Sequence, residues 1–111
     1  MANVFTFDVF DRKAKRLTTK FKTLTDELVA LIQELESSPQ KGTDLGGGFY
    51  KIRLASESKG GGKSGGFRVI TYYIEETKEE TIVYLVTIYD KSEQSNISKK
   101  DLLNMVKNEL D

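Results

Sequence analysis

The spacing of apolar residues along the chain changes period several times, and each change marks an element. Val4 and Phe5 open a short strand over residues 3–6, and residues 8–17 carry an irregular apolar stripe from Val9 and Phe10 to Leu17 that predicts a helix. Around residues 25–37 the repeat is plain: Leu24, Leu28, Leu31, Ile32 and Leu35 recur at helical spacing, and Pro39 ends the run. Thr23 or Thr25 can cap this helix, with Asp26 and Glu27 in its first turn. KGTDLGGG, residues 41–48, has no period and reads as a loop.

Period two then takes over. In FYKIRLA, Tyr50, Ile52 and Leu54 share one face and Lys51 and Arg53 the other, as in a half-buried strand. FRVITYYI (67–74) and TIVYLVTIY (81–89) are apolar on both faces, which places them centrally in a sheet, and the charged turn EETKEE joins them. A last helix follows Ser98, which stands three residues before Asp101 as in a capping box, with Ile97 and Leu102 spaced as a hydrophobic staple. The expected order is β-α-α-β-β-β-α: one α+β domain over residues 1–111, two N-terminal helices packed on an antiparallel sheet.

Composition narrows the chemistry. The chain has 111 residues, room for one core, and no apolar run near the roughly 20 residues of a membrane span. No signal peptide is expected at MANVFTFDVF, and the absence of cysteine suits a reducing cytosol. With neither histidine nor cysteine, the usual zinc ligands and every imidazole-based triad are missing, so no metal or cofactor is expected. Acid–base work must fall to Lys, Arg, Tyr, Asp or Glu. Charge is balanced at 17 basic and 17 acidic residues but unevenly placed. From Lys51 to Arg68 five basic residues (Lys51, Arg53, Lys59, Lys63 and Arg68) face Glu57 alone, a local excess of four positive charges.

That excess surrounds SKGGGKSGG, for which three readings compete. GKS and a GxGxxG spelling hint at a phosphate loop, but such a loop must open a helix and FRVITYY is a strand. A linker needs a domain on each side, and neither half is long enough. A hairpin connection between antiparallel strands remains, its lysines discouraging edge pairing. Solvated surface charge is the plain account of the cations. The functional one is that Lys51, Arg53 and Arg68 on a common face, with Lys59 and Lys63 above them, repel one another until a polyanion such as RNA or DNA binds. Tyr72, Tyr84 and Tyr89 offer rings for base stacking, though packing explains strand tyrosines equally well.

GGFYKIRLAS, GKSGGFRVITYY and VYLVTIYDKSEQSNIS, in this order, resemble the RelE/HigB family of bacterial type II toxins, particularly its HigB-like branch. The resemblance implies a microbial-RNase-like α+β fold and a ribosome-dependent endoribonuclease that cuts mRNA in the A site. It also implies a cognate antitoxin, HigA-like with a helix-turn-helix, through which alone the toxin reaches operator DNA. It carries the family's basic pair onto Lys51 and Arg53, the arginine opening the next strand onto Arg68, and the basic position after the last strand onto Lys91. Lys59 and Lys63 match the HigB-like loop and, with Tyr72, are candidate RNA contacts. The tyrosine RelE places near its C-terminal helix falls here at about Ile97, so Tyr89 is the substitute candidate; histidines used by some HigB relatives have no counterpart.

Metal-free RNA cleavage turns a 2′-OH onto its own phosphate. Arg53 and Arg68 suit the developing phosphorane charge, Lys51 is the candidate base, and Lys91 or Tyr89 the candidate donor to the leaving oxygen. The alternatives are a ParE-like inhibitor of DNA gyrase and an inactive binding protein of the same fold.

Overall fold

The computed structural model describes residues 1–60 and 65–111. Among them are five strands and three helices: β1 (Asn3–Thr6), α1 (Asp8–Lys20), α2 (Leu24–Ser37), β2 (Thr43–Gly46), β3 (Phe49–Leu54), β4 (Phe67–Glu75), β5 (Thr81–Asp90) and α3 (Lys99–Leu110). The α+β class and the element order stand, with one strand more than the sequence suggests.

That strand is β2, in the segment read as a loop. Its sequence, TDLG, has almost nothing to bury, so no period betrays it. Backbone geometry makes it: Gly46 pairs with Phe49 across a two-residue turn, Gly47–Gly48, whose φ values of 65° and 92° are both positive. Two central residues with positive φ give the turn whose twist matches a hairpin, a conformation glycine adopts freely.

The sheet runs β1-β5-β4-β3-β2, so the two strands apolar on both faces do lie inside it. All neighbours are antiparallel except β1, which pairs parallel with β5 in the register Phe5↔Tyr84. The sheet is therefore mixed rather than antiparallel. The α1–α2 hairpin intervenes between β1 and the rest, and carries the chain across to bring β1 back beside the last strand.

Helices α1 and α2 cover one face. Leu17, Leu24, Leu28, Leu31 and Leu35 are buried there together with Ile52, Phe67, Val69, Leu85 and Ile88, and Phe21 meets the Phe67 ring edge-on at 5.1 Å. Helix α2 starts without the side-chain cap expected of Thr23 or Thr25: Thr25 lies inside the helix, and Thr23 is already helical at φ −87°, its hydroxyl bonding Glu27 and the hydroxyls of Ser56 and Ser58 instead. In α1 the missing cap is replaced from afar, the Asp8 N–H donating to the Glu109 carboxylate of α3. Helix α3 has its expected cap, Ser98 Oγ accepting from Asp101 N at 3.1 Å. It starts beside β2, where Lys99 Nζ donates to Leu45 O at 3.2 Å, and ends at the α1 N-terminus, so it returns across the sheet opposite α1 and α2. No described helix is long and apolar enough to cross a membrane.

Candidate functional site

Strand register assembles the site. Directly opposed residues of an antiparallel pair share a face, their Cβ atoms about 5 Å apart. Arg53 on β3 stands opposite Arg68 on β4, and Arg68 opposite Tyr89 on β5, so the three form one row across the sheet. The next row on this face is Lys51, Ile70 and Thr87. A bulge at Val86 then resets the alternation, and Phe49, Tyr72 and Tyr84 make a third row. All of this lies on the face away from α1 and α2.

The cations are not alike. Arg53 is exposed and Lys51 half-buried, whereas Arg68 is only 4% exposed, its guanidinium donating to Phe67 O at 3.3 Å. At the outer edge, Lys51 and Arg53 share a shallow pocket of about 220 Å³ with Lys41 and Thr43. Lys41, which also pairs with Glu34 at 2.9 Å, was hidden in the aperiodic loop; only the β2–β3 pairing brings it here.

Tyr89 is 3% exposed, and its hydroxyl has no hydrogen-bond partner among the described residues. Burial raises its pKa and the neighbouring Arg68 pulls it partly back, so the phenol stays protonated near neutrality and is a donor without an acceptor. Two residues away on the same face, the buried Thr87 hydroxyl is likewise unpaired among the described residues. A threonine in an apolar strand reads as an ordinary β-former, so sequence gave no sign of it.

The remaining candidates are placed differently. Lys59 does not stand over the cationic row: its ammonium pairs with Asp90 at 3.0 Å, donates to Gly65 O at 2.8 Å and lies 5.9 Å from the Phe67 ring. Asp90 opposes Phe67, hence turns to the other face. A flexible lysine beside a buried carboxylate pairs inward, and that is where this structure places the expected RNA contact. Burial would raise the Asp90 pKa, but the Ser92 hydroxyl, the Lys59 ammonium and the Ser92 amide overcome it and hold the carboxyl below its ordinary value. Lys91, just past β5, is fixed by its N–H donating to Gly66 O at 3.1 Å. Tyr72 lies on the site's face but two rows from Arg68, its ring 5.0 Å from Phe49 and closely packed on Gly48. Lys63 lies outside the described residues.

The glycine tract lies between antiparallel strands, Leu54 opposite Phe67, so the hairpin reading holds, and strand β4 follows it. Gly66 is needed for space: a Cβ there would stand 2.3 Å from Leu54 O. The arrangement gathers two guanidiniums and an amine on one face, beside a phenol that has no partner among the described residues.

The model of one protein family, described as the RelE toxin of the RelE / RelB toxin-antitoxin system, matches residues 2–108. The match spans nearly the whole chain, including every strand and helix that builds the cationic face. This chain belongs to the RelE toxin family, and is a toxin of a toxin–antitoxin system.

Proposed function

We propose that this toxin is a metal-independent, ribosome-dependent endoribonuclease of the HigB-like branch, cutting mRNA in the ribosomal A site and neutralised by a HigA-like antitoxin with a helix-turn-helix. The observation that supports it most is the Arg53–Arg68–Tyr89 row, two guanidiniums beside a buried hydroxyl that has no acceptor among the described residues. A structural row of that composition is costly, because an unpaired buried hydroxyl disfavours the fold by about 1–3 kcal/mol. A substrate phosphate beside it supplies the missing acceptor.

In the proposed reaction the ribose 2′-oxygen attacks the adjacent phosphorus while Lys51 takes its proton. A bond from 2′-oxygen to phosphorus forms, and the bond from phosphorus to the 5′ oxygen breaks. Arg53 and Arg68 hold the charge that builds on the phosphorane oxygens, their forked donors matching phosphate geometry. Tyr89 gives its proton to the departing 5′ oxygen, or Lys91 does, leaving a 2′,3′-cyclic phosphate and a 5′-hydroxyl. With no imidazole in the chain to serve as base, much of the acceleration must come from mRNA held in line by the ribosome, so free RNA should be a poor substrate. The proposed place of action, the cytoplasm, follows from the ribosome as partner.

Mapping mRNA ends after brief induction, with and without active translation, tests this. Cuts that vanish when translation stops are expected, along with their loss in Arg68→Ala. A DNA-damage response with intact mRNA would instead assign the toxin to gyrase inhibition, and harmless overexpression without antitoxin to an inactive relative.

A further inference from the structure

One buried ion pair takes no part in this reaction yet sits against it. Lys59 and Asp90 have side chains only 13% and 4% exposed, and meet at 3.0 Å. Asp90 opposes Phe67 in the row next to Arg68 and Tyr89, so it is the sequence neighbour of the phenol, and Phe67 that of the guanidinium. The same Asp90 oxygen that pairs with Lys59 accepts from Ser92 N at 2.9 Å and from Ser92 Oγ at 2.7 Å. One carboxylate thus ties the loop after β3, through Lys59, to the chain leaving β5. Lys59 adds a second tie by donating to Gly65 O, and Lys91 N a third by donating to Gly66 O. On the loop's other side, Ser58 and Ser56 bond Thr23 at the start of α2, so the loop base is anchored at both ends.

We propose that Lys59 and Asp90 are a positioning pair: their buried contact clasps the β3–β4 loop to the end of β5 and so fixes Arg68, Tyr89 and Lys91 in the relative placement the proposed cleavage needs. The inference rests on the ribonuclease reading and deepens it. Neither residue touches RNA. Mutual placement of guanidinium and phenol is set by the β4–β5 end where the clasp sits, and a shift of about 1 Å between reacting groups can lower turnover about a hundredfold. A pair retained only for stability is a weak explanation, since apolar residues of similar volume often serve a core at least as well.

The test measures kcat and KM for cleavage of a short mRNA on purified translating ribosomes, with wild-type full-length toxin, Lys59→Met and Lys59→Arg. Lys59→Met keeps the stem and drops the charge. The expected result is a fall in kcat of about tenfold to a hundredfold with KM within about twofold, largely restored by Lys59→Arg. An unchanged kcat with a lower melting temperature makes the pair merely structural and overturns the proposal. A raised KM at unchanged kcat makes Lys59 an RNA contact and also overturns it, as does failure of Lys59→Arg to rescue. If Lys59→Met does not fold, Asp90→Asn, which keeps acceptors for Ser92 without the charge, is scored by the same criteria. If the wild-type toxin cleaves nothing, the ribonuclease reading fails, and the clasp is judged by amide exchange at Lys91: faster exchange in Lys59→Met supports it, and unchanged exchange refutes it.

Discussion

Replacing Tyr89 with Phe removes one oxygen and nothing else, which separates the packing of that residue from its proposed role as proton donor. The ring is buried on the central strand β5, and Phe keeps all of its packing. The lost hydroxyl has no partner among the described residues, so its removal leaves no donor or acceptor stranded. An unpaired hydroxyl buried in a protein costs about 1–3 kcal/mol, and the lower end applies because Arg68 stands beside it. Tyr89→Phe should therefore be more stable than wild type by about 1 kcal/mol, a rise in melting temperature of about 3–6 °C for a domain of this size. The gain should widen above about pH 10, since the raised pKa of the folded phenol means that wild type alone loses stability as tyrosine ionises in the unfolded chain. Cleavage on translating ribosomes should meanwhile fall about a hundredfold or more, the usual loss when a positioned proton donor is removed. Thermal melts by circular dichroism at several pH values, beside single-turnover cleavage, give both quantities. A variant that melts several degrees lower would mean the hydroxyl has a partner in the fold; one that melts higher but cleaves normally would take Tyr89 out of the chemistry.

Arg53→Ala should leave stability within about 0.5 kcal/mol, because the side chain is exposed, yet lower cleavage about tenfold or more; an active variant removes Arg53 from the phosphate site. Gly66→Ala should destabilise by about 1–3 kcal/mol in urea titration, since its Cβ would collide with the Leu54 carbonyl and Ala55 Cα, both backbone. The Asp90 carboxyl, held below its ordinary pKa, contributes stability that is present above about pH 4 and lost as pH falls through the depressed value. Urea midpoints measured from about pH 6 down to about pH 2 should drop more steeply for wild type than for Asp90→Asn, and parallel curves would contradict the assignment.

Much of this was legible in the chain because β3, β4 and β5 are set by burial. The alternation of Lys51 and Arg53 against Ile52 and Leu54 fixed which way β3 faces, and apolar character on both faces put β4 and β5 inside the sheet. Ser98 announced α3 through a local hydrogen bond that the sequence spells out. What escaped depends on partners distant in sequence. β2 exists because β3 and a glycine turn hold it, not because it buries anything, and the parallel pairing of β1 is decided by where the α1–α2 hairpin delivers it. Thr23 was a plausible cap until Ser56 and Ser58 claimed its hydroxyl from the loop. The partner of Lys59 was hidden for a related reason: a lysine in a glycine tract looks solvated, and only the fold brings Asp90 under it.

The placement of the cationic row suits a chain of zero net charge to the proposed phosphate site without loss of its fold. Arg68, Tyr89 and Thr87 are each poor choices for a sheet interior, being polar and buried, and the two hydroxyls lack partners among the described residues. They stand on β4 and β5, the pair with the longest register in the sheet, Phe67↔Asp90 through Glu75↔Thr81. Behind them, on the opposite face, Phe67, Val69 and Ile88 are fully buried against the helices. The strain of a polar face is thus borne by the strands best able to hold it, while on β3, nearer the edge, Arg53 is exposed and Lys51 half-buried. Burial also strengthens the site, because a guanidinium shielded from water interacts with an anion more strongly than an exposed one. On this view the two hydroxyls without partners among the described residues are a trade between stability and the proposed activity, so substitutions that satisfy or remove them should stabilise the toxin and silence it together.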